Sequence, residues 1–143
     1  IGQQKIPQNP KVFSTGNTKN IVKKYSSKGL RNDIHGMVHC SGGAQTKVLH
    51  FVDDVHIIKD KLFPTPVLFQ KIQEASGTDW KEMYKVFNMG HRMELYVTEE
   101  IAEDIIKISE SFNVAAQIVG RVEESKNGKQ LTIRSEHGEF IYN

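Results

Sequence analysis

The run Ile34-His35-Gly36-Met37-Val38-His39-Cys40 stops against Ser41-Gly42-Gly43, and no other feature constrains the fold as much. An apolar strand delivered into a glycine turn presents main-chain amides with no Cβ in the way. That is how a backbone comes close to a phosphate. Downstream, Phe87-Asn88-Met89-Gly90 repeats the device, between a helical pattern and an alternating strand pattern. Any fold for this chain must accommodate two glycine turns, each beside a strand.

Around these turns strand and helix patterns alternate. Residues 44–51 read as a short helix and 55–58 as a strand. Thr65 as N-cap and Pro66 as first helical residue open a helix; Val67, Leu68 and Ile72 form its apolar stripe, and Gly77 sits at its C′ position. Asp79 and Glu82 make a capping box for a helix in which Trp80, Met83, Tyr84 and Phe87 recur at core spacing. Met93, Leu95 and Val97 alternate with polar partners, as in a half-buried strand. Thr98 caps the next helix, with Glu99 and Glu100 in its first turn and Ile101, Ile105, Ile108 and Phe112 on its inner face. Residues 116–122 read as a strand, and 131–133 with 140–142 as a closing hairpin or edge pair. Before the first glycine turn, the first dozen residues read as an extended lead-in and residues 17–25 as a short helix. The predicted fold is α+β, a three-layer α/β/α domain with a mixed sheet that contains both 34–40 and 93–97.

With 143 residues, 38% hydrophobic and 25% charged, the chain suits one soluble globular domain. No apolar stretch approaches the roughly 18 residues a bilayer needs, so no membrane partner is expected. The lone Cys40 rules out an internal disulfide and fits a cytoplasmic location. A start at Ile1 reads as a fragment or processed product. Charge is uneven. Residues 1–33 hold seven Lys/Arg against one acid, and the remainder twelve against sixteen. The basic segment reads as a solvated stretch, a seam with another domain, or a nucleic-acid contact; it lacks the aromatic interleaving the last would want, and no nucleic acid is expected.

His35 and His39 do not read as a metal pair. On a strand, positions i and i+4 lie about 13 Å apart at roughly 3.3 Å per residue, and Gly36 stands where a His-Glu-x-x-His zinc site needs its glutamate. No metal site is predicted. With Ile34, Gly36, Val38 and Cys40 on one side, His39 emerges on the other, beside the turn. It is the candidate catalytic residue, as anion donor or general acid–base, or else a structural histidine. His35 reads as structural. Ser41, Gly42 and Gly43 are the candidate phosphate ligands. Asn88 and Gly90 join them from the second turn, or else merely end a helix there. Cys40 reads as a small core residue rather than a nucleophile. Neither a Walker-type nor a Gly-x-Gly-x-x-Gly loop is present.

The two motifs, from about residue 34 to 122, resemble the C-terminal domains of the aminoimidazole ribonucleotide synthetase (phosphoribosylformylglycinamidine cyclo-ligase) family. Its glycine motif commonly reads His-Gly-Leu-Ala-His-Ile-Thr-Gly-Gly-Gly. Here His35, Gly36, His39, Gly42 and Gly43 match, Ser41 replaces threonine and Ala44 the third glycine. Glu82-Met83-Tyr84 and Phe87-Asn88-Met89-Gly90 match the second motif. Lys47, Val48, His50, Phe51 and Arg92 depart from the family pattern.

The resemblance implies an ATP-dependent ligase of purine biosynthesis, which closes the imidazole ring of formylglycinamidine ribonucleotide to give aminoimidazole ribonucleotide. ATP and Mg2+ would be held mainly by a preceding N-terminal domain and the partner of a homodimer, with no cofactor in this chain. On this reading residues 1–33 are a basic linker and short helix, residues 34–143 are the synthetase-like domain, and the fragment alone is inactive. A different ATP-dependent member of the superfamily, or a non-catalytic binding module, are the alternatives.

Overall fold

In a computed structural model of the chain, residues 11–14 and 33–143 are described. They build one seven-stranded mixed sheet in the order β2-β4-β1-β5-β3-β6-β7. The strands are β1 (Lys11–Ser14), β2 (Ile34–His39), β3 (Val55–Lys59), β4 (Met93–Val97), β5 (Gln117–Glu124), β6 (Gln130–Ser135) and β7 (Gly138–Tyr142). All neighbours are antiparallel except β3 and β6. As expected, 34–40 and 93–97 share the sheet, as the adjacent strands β2 and β4, and β6 and β7 form the closing hairpin. Lys11–Ser14 lies inside the sheet, bonded to β4 on one side and β5 on the other. The helix read at 17–25 falls outside the described residues.

Successive residues of an inner strand point to opposite faces, and the two apolar clusters follow that rule. Tyr96 and Val119 join a core with Val38, Val48, Leu49, Ile57, Tyr84, Met89 and Leu131. Their neighbours Leu95 and Ile118 join a second core with Val97, Ala102 and Ile105. On the first face lie a 3-10 helix (Ala44–His50), α1 (Val67–Ser76) and α2 (Trp80–Val86); α3 (Glu99–Glu110) covers the second. Helices on both faces of the sheet make the expected three layers. β4 is buried from Glu94 to Val97, not half-buried with polar partners in solvent, because both its faces are covered.

Ile34 belongs to the α3-side core and Val38 to the other. The expected common face for both is broken by a bulge in β2 between Ile34 and Gly36, where the added residue shifts the alternation.

Three helix starts show how tertiary partners take over capping groups. Thr65 does not cap α1; its hydroxyl pairs with His137 Nε2 at 2.9 Å, so Pro66 becomes the N-cap. Val67 and Leu68 are then exposed, and Phe69 packs inward against Phe87 with ring centroids 5.7 Å apart. Gly77 ends α1 with φ 67, as its position predicts. Asp79 caps α2 by accepting from the Glu82 amide at 3.0 Å. The expected core residues Met83 and Tyr84 are buried, and Trp80 and Phe87 pack partly against them. Thr98 stands at the N-cap of α3, but its buried hydroxyl bonds nothing. Phe112, expected inside, lies beyond the end of α3 and is exposed, while Ala102 and Ser109 take inner positions.

Candidate functional site

Sheet register brings the two glycine turns together. His39 at the end of β2 faces Met93 at the start of β4, and the Cys40 amide donates to Arg92 O at 2.9 Å. The turn leaving β2 and the turn entering β4 are therefore neighbours at one end of the sheet.

In the first turn the Ser41 amide donates back to His39 O, and the Ala44 amide to Ser41 O, each at 2.8 Å. Gly43 has φ 83 and Ala44 φ 41, both left-handed. That conformation suits the glycine the family places at the second of these positions. Among the described residues the amides of Gly42 and Gly43 donate to nothing, and open space surrounds the position a Gly42 Cβ would occupy. Lys47 Nζ donates to Ser41 Oγ at 2.7 Å, which sets a cation beside the turn and leaves the serine proton to be donated outward. His39 is exposed at the strand end next to it. The segment that follows is a 3-10 helix of seven residues, too short and too tightly wound to supply the dipole a full α-helix would. Any anion held here depends on amides, Ser41 and Lys47.

The second turn is built differently. Asn88 Oδ1 accepts the Gly90 amide at 3.0 Å, and Asn88 O accepts the His91 amide at 2.9 Å. Met89 is buried with φ 53, and Gly90 has φ 90. A Cβ on Gly90 would also come within 3.0 Å of Pro66 Cγ. The Gly90 amide is thus consumed within the turn, which leaves the Asn88 side-chain NH2 as its outward donor. Helix α2 ends at Val86 with Phe87 as its C-cap, so Asn88 lies directly after the cap.

Between the turns lies a polar cluster that no motif announced. Lys59 and Glu94 are both fully buried and pair at 2.6 Å. Lys59 Nζ also donates to Gln45 O and to Gln45 Oε1, both at 2.9 Å, so all three of its protons are used. Tyr96 OH donates to the other Glu94 oxygen at 3.1 Å. Burial first, then that carboxylate, raises the Tyr96 hydroxyl well above its usual range. Gln45 Nε2 donates to Asn88 O at 2.9 Å. Two buried ions cost several kcal/mol each to desolvate, and removal of one alone costs about 3–5 kcal/mol.

Cys40 lies against this cluster, buried and free. Burial and the Glu94 carboxylate push its thiol up to about 12. It stays protonated at neutral pH, which argues against a nucleophile. His91 is buried on Phe63, with ring centroids 5.2 Å apart and both ring nitrogens unpaired. Burial, assisted by Lys59, lowers it to about 3. Burial also lowers His35, against the opposing pull of Asp33. A cleft of ≈ 410 Å³, lined in part by Phe63, Thr65, Tyr84 and Arg134, contains none of the predicted site residues.

The model of the AIR synthase related protein, C-terminal domain, matches residues 14–131. The chain belongs to this family. A phosphoribosylformylglycinamidine cyclo-ligase of Methanopyrus kandleri is 38% identical over 94 residues, 66% of this chain and 27% of the relative. That of Methanocaldococcus jannaschii is 36% identical over 102 residues, 69% of this chain and 29% of the relative. The chain spans less than a third of the length of these relatives. Among solved structures, E. coli HypE, a hydrogenase maturation protein, matches with TM-score 0.59 at 14% identity, over 99% of this chain and 51% of that one. T. maritima PurL complexed with ADP matches with TM-score 0.60 at 11% identity, over 96% of this chain and 24% of that one. These likenesses concern the fold alone.

Proposed function

We propose that this AIR synthase related domain is the substrate-side part of an ATP-dependent cyclo-ligase, which converts formylglycinamidine ribonucleotide to aminoimidazole ribonucleotide in purine biosynthesis. One observation carries the reading. The turn at 41–43, with two uncommitted amides, an outward serine proton and Lys47, lies at the same end of the sheet as the turn at 88–90, in a chain whose relatives are named for that activity. The substrate phosphate would lie against Ser41, Gly42, Gly43 and Lys47. Asn88 would reach it from the second turn, Gly90 shaping that turn. His39, exposed at the rim, would donate to the phosphate or move a proton at the reacting amidine.

Full activity would come from a longer protein, acting as a homodimer in the cytoplasm, with an N-terminal domain that holds ATP and Mg2+. Among the described residues no three His, Cys, Asp or Glu side chains form a metal-binding group. No step through magnesium is therefore assigned to this chain. Nor is any helix among them long and apolar enough to cross a membrane.

The test is a Gly42→Val substitution, since no atom lies within 4 Å of its Cβ position and the turn stays unstrained. Gly43→Val is unsuitable because φ 83 there strains a β-branched residue on its own. In the full-length enzyme the Gly42 variant, with an unchanged circular dichroism spectrum, should bind the ribonucleotide at least tenfold more weakly. Unchanged affinity would remove the anion site from these glycines. Failure of the wild-type enzyme to form aminoimidazole ribonucleotide from substrate and ATP would remove the cyclo-ligase reading itself.

A further inference from the structure

Gln45 is a side chain committed at both ends. Its Oε1 accepts from Lys59 and its Nε2 donates to Asn88 O, each at 2.9 Å, and it is fully buried. Lys59 has only protons to offer and the Asn88 carbonyl only lone pairs, so the amide can sit one way round. Its backbone is two residues from Gly43, and its own carbonyl is held by the same Lys59 ammonium. Glu94, from the strand that the second turn feeds, balances that ammonium. Lys59 comes from β3, with β5 and β1 between it and β4. The polar chain therefore runs from one turn, through Gln45, into the other, and is anchored on two strands that are not neighbours.

A buried ion pair is a poor way to stabilise a core, because apolar residues of similar volume do as well or better. It does fix positions, since each proton has one acceptor and each oxygen a defined donor. We infer that Gln45, oriented by the Lys59 and Glu94 pair, is a positioning residue that holds the 41–43 and 88–90 turns at one fixed separation, so that donors from both meet the same anion. This rests on the reading of the two turns as one anion site. None of the three residues touches the ligand.

The experiment uses the 143-residue chain, uniformly 15N-labelled, titrated with inorganic phosphate while the amide resonances of both turns are followed. Two variants are compared with wild type: Gln45→Met, and the double replacement Lys59→Met with Glu94→Leu. The double variant removes both charges together but leaves the Tyr96 hydroxyl and both Gln45 oxygens without partners, so some loss of resistance to urea is expected and its folding is confirmed from a dispersed amide spectrum. In each variant the resonances of 41–43 and 88–90 should move together even without phosphate. Phosphate affinity should then fall at least tenfold in both folded variants. A merely structural role predicts a lowered urea midpoint with the resonances of the two turns unmoved, and that pattern overturns the inference. So does unchanged affinity in either folded variant, or a double variant whose turn resonances stay in place. If wild type binds no phosphate yet both turns respond to the double replacement, the positioning stands and the anion reading falls.

Discussion

His91 shows how much one side chain can cost. Its ring is buried on Phe63, and neither nitrogen has a partner. A buried polar group left unpaired costs about 1–3 kcal/mol, so His91→Phe should raise stability at pH 7 by about that amount. The pH dependence has a definite sign. The native ring titrates near 3, against an ordinary 6.5, so between those values the unfolded chain takes up a proton that the native state refuses. Stability from this residue is complete above about 6.5 and declines by about 1.4 kcal/mol per pH unit as acid is added, until both states are protonated below about 3. Urea unfolding at pH 7, 6 and 5 should show the wild-type and His91→Phe midpoints diverging as the pH falls. Parallel profiles would mean that the imidazole finds a proton acceptor in the native state.

At the scale of elements, β5 must pass β3 at very close range. A Cβ on Gly120 would come within 1.9 Å of Ile58 O, and the amides of Asp60 and Lys61 both converge on Val119 O just there. Backbone on both sides cannot yield as a flexible side chain would. Gly120→Ala should therefore destabilise the domain by about 3 kcal/mol or more, read as a lowered urea midpoint; a loss under about 1 kcal/mol would show that the strands can part. Nothing near Gly120 in the sequence announces this, because the clash lies with a strand about 60 positions earlier. Legibility follows the same division elsewhere. Local chemistry was readable: the Asp79 cap, the left-handed exit at Gly77, the closing hairpin and both glycine turns all come from adjacent residues. Thr65 and Thr98 looked like caps, but Thr65 bonds a histidine 72 positions away. Glu94 looked like the outward residue of a half-buried strand. Only the covering layers and Lys59 make it an inward one. Of the candidate site, the first turn was legible. Its wiring to the second was not, since Gln45 stands in a stretch with no motif.

For the whole molecule, the decisive element is the small strand β1. Lys11–Ser14 contributes four residues, yet bonds β4 through Lys11 to Val97 and β5 through Lys11 to Arg121. Without it the sheet divides into a β2-β4 ribbon and a separate β5-β3-β6-β7 sheet, each with a raw edge. A chain beginning at residue 34 should therefore fail to give a dispersed amide NMR spectrum, while one beginning before residue 11 succeeds. A well-folded product from residue 34 onward would show that β4 and β5 can close on each other directly. The same strand imposes an order in time. During synthesis β1 leaves the ribosome before either neighbouring strand, and for Lys11 the nearer partner, Val97, follows 86 residues later, from position 11 to position 97. At about 5–20 residues per second that interval is about 4–17 seconds. Throughout it the nascent chain carries an unmatched strand, which has to be kept from the wrong neighbours until its place in the middle of the sheet exists.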